Sequence, residues 1–177
     1  QFEKDFAKFC GAEHCVGFNS GTSALHVGLM LLNIGRDDEV ITTPHTFVAT
    51  SWAISYVGAK PVYVDIDDAT FNLDPKKIEA AITPRTKAIV VLHYGGFACD
   101  LEGVMALADD AGVSVIEDAA QSFGASDRGA PVGTVGDIVT FSFFPTKNFP
   151  GIGDGGMVVA RDGELADRVR RLRFHGS

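Results

Sequence analysis

Positive charge is scarce in this sequence. Lys and Arg number 15 against 23 Asp and Glu, a formal net charge of -8 at pH 7, which argues against a general electrostatic attraction to nucleic acid or an anionic membrane. Long apolar runs are missing too. None reaches the roughly 20 residues that span a bilayer, and no basic segment followed by an apolar stretch opens the chain. A soluble, cytoplasmic protein is expected, with neither nucleic acid nor membrane as partner. Cysteine is equally sparse. Cys10, Cys15 and Cys99 are odd in number and lack CxxC spacing, so neither a disulfide framework nor a zinc site is indicated, and buried or half-buried free thiols are expected. Repeats and low-complexity segments are absent. What remains is a chain of 177 residues, 46% hydrophobic, enough for one domain with a substantial core.

The chain reads as alternating elements. Cys15 to Phe18 is a short apolar run, followed by NSGTS and then ALHVGLMLLNIG, which the pattern predicts as a helix closed by Gly35. Glu39 to Thr42 predicts a second strand, Val48 to Val57 a second helix, and PVYVDI a third strand. Asp74 and Pro75 supply an N-cap and a first-turn proline for KKIEAAI. KAIVVLH, a helix from Leu101 to Ala111, VSVIED and DIVTFSFF continue the series. Strands separated by helices imply parallel pairing with right-handed crossovers, hence an α/β domain: a three-layer α/β/α sandwich with a mostly parallel sheet. Ligands of such sheets gather at the carboxyl ends of the strands.

Three segments bring polar chemistry to those ends. In NSGTSAL, Asn19 to Leu25, serine, glycine and threonine at a helix start aim N–H groups, hydroxyls and the positive end of the helix dipole at one point. That suits a phosphate; an ordinary N-cap is the plainer alternative. The segment is neither a Walker loop nor a GxGxxG, so ATP and dinucleotides are disfavoured. In VIEDAAQSFGA, Asp118 ends a strand and Gln121 follows within helical reach. Glu117 suggests a metal pair, but adjacent strand residues point to opposite faces and no histidine lies at ligand spacing. Asp118 is therefore read as a lone fixed charge for a cationic ring or proton, with a metal ligand or an N-cap as alternatives; no metal is expected. In FSFFPTKNFPGIGDGG, Lys147 sits in a turn after a core strand of Val139, Phe141 and Phe143. Ser142 offers a hydroxyl at the strand end, and Gly151, Gly153, Gly155 and Gly156 are expected to let backbone come close to a bound molecule. A lysine held among apolar neighbours at a sheet edge suits Schiff-base chemistry; a solvated loop lysine is the alternative.

A phosphate cradle, an aspartate and a lysine, each following a strand of one sheet, are what pyridoxal 5'-phosphate requires. The cradle anchors the phosphate, the aspartate keeps the ring nitrogen protonated, and the lysine holds the aldehyde as an imine. With these in place the chain resembles the DegT/StrS family of pyridoxal-phosphate sugar aminotransferases, built on the aspartate-aminotransferase fold. SGTSAL, TPHTFVATSWAI, HYGG, EDAAQSFGA, FSFFPTKN and the terminal LRFHGS look like family blocks in family order. Each is weakly specific alone; their order and spacing carry the resemblance over nearly the whole chain.

The resemblance implies roles residue by residue. Lys147 would hold the cofactor covalently and Asp118 would pair with the pyridine nitrogen. Gln121 would hydrogen-bond near the ring's phenolic oxygen. Gly21, Thr22, Ser23 and Ser142 fall where the family binds the phosphate. Phe47 lies where an aromatic side chain covers the ring, although composition alone assigns it to the core. His93 and Tyr94 lie near the strand ends without a catalytic role. The implied reaction is a two-half transamination: an amino-acid donor, most often glutamate, gives up its nitrogen while Lys147 moves the proton, and the nitrogen passes to a keto group of a nucleotide-linked sugar. Sugar dehydratases of the family carry histidine in place of the lysine, so Lys147 argues against that reaction. An aldolase, a cofactor-binding regulatory protein or an inert fragment are the rivals.

Members of the family run to roughly twice this length. Residues 1–177 therefore resemble the large cofactor domain of a fold type I enzyme, with a smaller C-terminal domain outside this chain. HYGG resembles members acting on 4-keto sugars and NFPGIGDGG those acting on 3-keto sugars, which leaves the carbon open. The family's shared sites also imply a homodimer. Thr22, Ser23 and Ser142 are neutral donors, weaker than charged ones, and no basic residue or asparagine is placed to finish enclosing a dianionic phosphate.

Overall fold

The computed structural model describes residues 1–176. Its strands are β1 (His14–Phe18), β2 (Glu39–Thr42), β3 (Lys60–Tyr63), β4 (Thr86–Leu92), β5 (Ser114–Asp118), the short β6 (Ser126–Asp127) and β7 (Ala130–Pro131), β8 (Ile138–Ser142) and β9 (Gly156–Ala160). β2, β4, β5 and β8 are buried along almost their whole length, as strands covered on both faces must be. β6 and β7 make a separate hairpin; the others form one seven-stranded sheet in the order β1-β9-β8-β5-β4-β2-β3. Pairing is parallel from β3 across to β8. It turns antiparallel where β9 wedges between β8 and β1. The three-layer, mostly parallel architecture is as expected, and β9 is its unforeseen member. GMVVA follows soon after the Lys147 turn, so β8 and β9 are joined by a long hairpin loop rather than a crossover helix.

The helices are α1 (Phe2–Cys10), α2 (Gly21–Leu31), α3 (Ala49–Tyr56), the single-turn α4 (Pro75–Ile78), α5 (Leu101–Ala111) and α6 (Gly163–Arg173). On one face of the sheet, α2, α3 and α6 pack Leu25, Leu29, Ile54 and Val169 against Val16, Val90, Ile116 and Ile138. On the other, α4 and α5 set Ile78 and Val104 over Ile41, Ile89, Val91 and Val115, and α1 sets Phe6 and Cys10 over Cys15, Val139 and Phe141. Each such aliphatic or aromatic side chain contributes about 1.5–3 kcal/mol on full burial. A charge at Ile116 or Ile138, both 0% exposed, would unseat the α2–α3 layer. The period of two along β5 decides where chemistry is possible: Val115 lies on the α5 side and Ile116 on the α2–α3 side, so Asp118 emerges beneath α2 and α3 and Glu117 on the opposite face.

Some boundaries differ from expectation. Helix α2 stops at Leu31, short of Gly35, because Asn33 adopts the left-handed conformation (φ 54°) and the Ile34 N–H returns to the Leu29 carbonyl. Asparagine tolerates that conformation as few residues besides glycine do. Gly35 begins a separate turn, its N–H donated to Asp38 Oδ2 at 3.0 Å. Of PVYVDI, only Pro61 to Tyr63 belong to β3, an edge strand where proline removes no needed donor. Asp74 does cap α4, accepting the Lys76 N–H, after which the chain tightens into a 3-10 turn over Glu79–Ala81. Cys10, Cys15 and Cys99 are buried free thiols. No helix among the described residues is long and apolar enough to cross a membrane.

Candidate active site

The ends of β5 and β8 and the first turns of α2 and α3 enclose a cavity of about 310 Å³. Gly21, Thr22, Phe47, Asp118, Gln121, Ser142 and Lys147 all line it. Ser23 does not. Ser20 is the N-cap of α2, its Oγ accepting the Ser23 N–H at 3.0 Å and donating to Ser23 Oγ at 3.0 Å. Ser23 is thereby engaged in the cap and faces a neighbouring groove with Asn19 and His26, while Ser20 itself borders the cavity.

Packing explains the glycines. A Cβ on Gly21 would lie 2.6 Å from Ser142 Cβ, so glycine is what lets the first turn of α2 rest on the end of β8. A Cβ on Gly156 would lie 2.5 Å from the Ser20 carbonyl carbon and 2.7 Å from Gly21 N. One on Gly151 would lie 3.1 Å from the Phe143 carbonyl oxygen. Gly151 and Gly156 thus permit close approach of chain to chain, while a Cβ on Gly153 would meet nothing within 4 Å.

Asp118 is buried, 4% exposed. Its Oδ2 accepts from Thr50 Oγ1 at 2.8 Å and its Oδ1 from the Ala120 N–H at 3.2 Å. Burial pushes its pKa above the ordinary carboxylate value, and those hydrogen bonds and the nearby Lys147 charge oppose the shift without cancelling it. Lys147 is half-buried. Its N–H is donated to the Phe144 carbonyl at 2.8 Å, closing the turn, and its Nζ lies 5.9 Å from the centre of the Phe47 ring. The loop around it is pinned twice: Asn148 Nδ2 donates to the Phe123 carbonyl at 2.6 Å, and Phe149 stacks on Phe123 with ring centres 4.2 Å apart. Phe47 is 62% exposed over the cavity rather than packed in the core. Gln121 Oε1 accepts the Gly95 N–H at 2.8 Å, which ties the loop after β4 to the cavity rim.

Residues 1–177 match the model of the DegT/DnrJ/EryC1/StrS aminotransferase family. The chain belongs to that family. The UDP-N-acetyl-3-dehydro-alpha-D-glucosamine 3-aminotransferase of Acidithiobacillus ferrooxidans is 53% identical over 175 residues, covering 99% of this chain and 47% of that protein. The crystal structure of DesV from S. venezuelae, in complex with a ketimine intermediate, shares 46% identity and a TM-score of 0.97 over 99% of this chain and 47% of that one. NtdA from Bacillus subtilis, with bound cofactor PMP, shares 38% identity and a TM-score of 0.93 over 98% of this chain and 39% of that one. This DegT/DnrJ/EryC1/StrS chain spans about half the length of the curated relatives it matches.

Sequence reasoning missed Thr50 and Asp154 in this family member, and named Glu117 and His93 without the pair they form. Thr50, 2% exposed, is the side-chain partner of Asp118; the pair of threonines one turn apart in HTFVAT was the available signal. Asp154 adds a second carboxylate to the cavity lining, its Oδ1 accepting the Gly155 N–H at 3.1 Å. Glu117 and His93, both 0% exposed, form a buried pair behind β5 with His93 Nε2 2.9 Å from Glu117 Oε2. Glu117 also accepts the N–H groups of Gly133, Val135 and Gly136. His93 Nδ1 accepts the Cys99 N–H at 3.0 Å, which leaves the ring proton on Nε2, directed at Glu117. Burial works to raise the Glu117 pKa, but the His93 hydrogen bond and the N–H groups of Gly136 and Val135 outweigh it and hold the carboxyl below its ordinary value. Among the described residues, no group of three or more His, Cys, Asp or Glu comes together that could hold a metal ion.

Proposed function

We propose that residues 1–177 form the large cofactor domain of a pyridoxal-phosphate-dependent aminotransferase. It moves an amino group from an amino acid, glutamate, to a keto group of a nucleotide-linked sugar. The observation that carries this reading is a buried carboxylate, Asp118, and a lysine amine, Lys147, lining one cavity at the N-terminus of α2. The residues fit the cofactor. Gly21 and Thr22 offer backbone N–H groups at a helix start, with the Thr22 and Ser142 hydroxyls beside them, to a phosphate. The Asp118 carboxylate, whose charge burial disfavours, is relieved by a protonated ring nitrogen as its counter-charge. Phe47, exposed over the cavity, would cover the ring, and Gln121 would reach its phenolic oxygen.

Bound pyridoxal phosphate supplies an electron sink for the bond broken at the donor's α-carbon. Asp118 keeps that sink effective by holding the proton on the ring nitrogen. Lys147 would hold the cofactor and then, as a free amine, would take the proton from the donor's α-carbon and deliver it to the carbon that had carried the cofactor's aldehyde. The loop pinned at Asn148 and Phe149 would hold Lys147 beside the cavity, so that positioning favours the transfer. The relative named for 3-amination of a UDP-linked sugar supports a nucleotide sugar as acceptor.

The proposed enzyme is a cytoplasmic homodimer. Three free buried thiols favour a reducing compartment. Val48, Trp52 and Tyr56, at successive turns along α3 and its cap, are 42%, 48% and 57% exposed and form an apolar strip next to the cavity, as a dimer contact requires. Lys147 is the one basic side chain in the cavity lining among the described residues, so the donors that complete the phosphate's enclosure would come from the second subunit. The test is direct. Full-length protein, given pyridoxal phosphate, glutamate and a panel of 3-keto and 4-keto nucleotide sugars, should release 2-oxoglutarate in proportion to aminated sugar. Cofactor binding without amination of any of them would overturn the reading.

A further inference from the structure

Two hydroxyls stand behind Asp118. Thr50 Oγ1 donates to Asp118 Oδ2 at 2.8 Å; Thr46 Oγ1 lies 2.9 Å from Thr50 Oγ1 and 3.3 Å from the Phe47 carbonyl oxygen. A threonine hydroxyl has one proton to donate. While Thr50 gives its proton to a charged Asp118, Thr46 must turn its own toward Thr50. If Asp118 is protonated and donates, the whole chain can run the other way, from Asp118 to Thr50, from Thr50 to Thr46, and from Thr46 to the Phe47 carbonyl. The other hydrogen-bond partner of the carboxylate, the Ala120 N–H on Oδ1, can only donate.

We propose that Thr50 is the positioning residue of Asp118, and that Thr50 and Thr46 form a two-hydroxyl relay that orients the carboxylate and favours its charged form. Thr50 is 2% exposed and sits in the first turn of α3, so its hydroxyl is held away from bulk water, where a charge-assisted hydrogen bond counts most. The relay ends on the backbone of Phe47, whose ring borders the same cavity. With Asp118 ionised the donated protons run from Thr46 to Thr50 to Asp118, and only the protonated state extends the chain to the Phe47 carbonyl. The other charged or titratable neighbours act differently: Lys147, from the β8–β9 loop, favours the charged form through space, and Glu117 on the same strand is turned to the opposite face, engaged with His93 after β4.

The inference rests on the pyridoxal-phosphate reading above, and its test separates the two. Full-length apoprotein is titrated with pyridoxal phosphate and with 1-deazapyridoxal phosphate, in which a C–H replaces the ring nitrogen. Wild type should prefer the natural ligand. Thr50→Val removes one hydrogen bond to a charged group and should cut that preference about tenfold; Thr50→Ser should restore it, and Thr46→Val should cut it by less. A structural role would weaken both ligands equally and leave their ratio alone. Equal weakening in Thr50→Val, an unchanged ratio in Thr46→Val, or no preference in wild type overturns the relay. Thr46→Val alters only a half-buried hydroxyl and decides the matter if Thr50→Val does not fold. Failure of wild type to bind either ligand overturns the cofactor reading itself and the relay with it.

Discussion

Gly156→Ala should damage stability and phosphate binding together. The added Cβ would lie 2.5 Å from the Ser20 carbonyl carbon and 2.7 Å from Gly21 N, whereas carbon atoms in contact prefer about 3.5–4.0 Å. A shortfall of about 1 Å against backbone cannot be absorbed by a rotamer change, so the first turn of α2 or the start of β9 must move. Both are held. Phe18 pairs with Gly156 on one side and Ser142 pairs with Gly156 on the other, so β9 has no free direction. Overpacking of this kind costs about 3 kcal/mol, the upper end of its usual range. For a domain of this size that lowers the melting temperature by about 6–12 °C, leaving a folded protein because total stability is about 5–15 kcal/mol. What moves is the Ser20–Gly21–Thr22 backbone, and one lost hydrogen bond to a charged phosphate weakens pyridoxal phosphate binding about tenfold. Gly155→Ala is the control. Its Cβ would meet the Phe143 Cδ2 at 3.2 Å, a side chain that can yield, and its cost should stay below about 1 kcal/mol. Thermal denaturation and cofactor titration of both variants read the two effects. A Gly156→Ala protein with wild-type melting and wild-type cofactor affinity would refute the packing argument.

Lys147→Ala should fold with an unchanged melting curve, since a half-buried turn lysine contributes little packing, yet lose the borohydride-stable adduct with pyridoxal phosphate; a mass shift persisting in the variant would reassign the lysine. Asp118→Asn keeps the shape and removes the charge, so transamination by the full-length protein should fall by orders of magnitude while part of the cofactor binding survives; near-normal turnover would make Asp118 a structural cap. Glu39, 3% exposed at the start of β2, is held by Thr83, Arg85 and Lys60 so that its pKa falls from the ordinary 4.5 to about 2. A depressed carboxylate stabilises fully above its unfolded value and loses that contribution as pH falls through the folded one. Urea midpoints of wild type and Glu39→Gln should therefore differ at neutral pH and converge between about 4.5 and about 2; a constant gap across that window would contradict the linkage.

The parts of the fold written in local pattern were legible. Apolar runs such as KAIVVLH and VSVIED become β4 and β5, and Leu101 to Ala111 becomes α5 with Asp100 and Gly112 as its caps. Asp118 and Lys147 could be singled out because a polar residue directly after a buried strand stands out against its neighbours. β9 was not legible, because GMVVA follows a glycine run that reads as loop, and its place between β1 and β8 depends on two long-range pairings that no local window contains. Ser23 and Ser20 differ for a similar reason. Both are hydroxyls of one short motif, and only the geometry of the cap decides that Ser20 borders the cavity and Ser23 the neighbouring groove. Thr50 carried its signal in HTFVAT, but its partner Asp118 lies 68 positions away.

The antiparallel β9 answers why the lysine sits in a turn. Had β8 led into a crossover helix, the residues after Ser142 would have had to rise over the sheet, and a lysine there would have been carried on a helix face. Because β9 returns beside β8 instead, the chain makes a hairpin over the strand ends, held at its base by the Phe143 N–H on the Gly155 carbonyl at 2.8 Å and the Gly151 N–H on the Phe143 carbonyl at 2.7 Å. Lys147 is thereby presented to the cavity, its Nζ 5.9 Å from the centre of the Phe47 ring. The two acidic residues at the end of β5 complete the division. Glu117 receives three backbone N–H groups and a histidine, which satisfies its charge and commits it to holding the loops behind the sheet. Asp118 receives a hydroxyl and one N–H, too few to offset its burial, and borders the cavity that Lys147 enters. A carboxylate with unmet demand for positive charge is the one a cationic ring can satisfy, so on the proposed reading the difference in hydrogen bonding, more than the identity of either residue, separates the roles of the two acids.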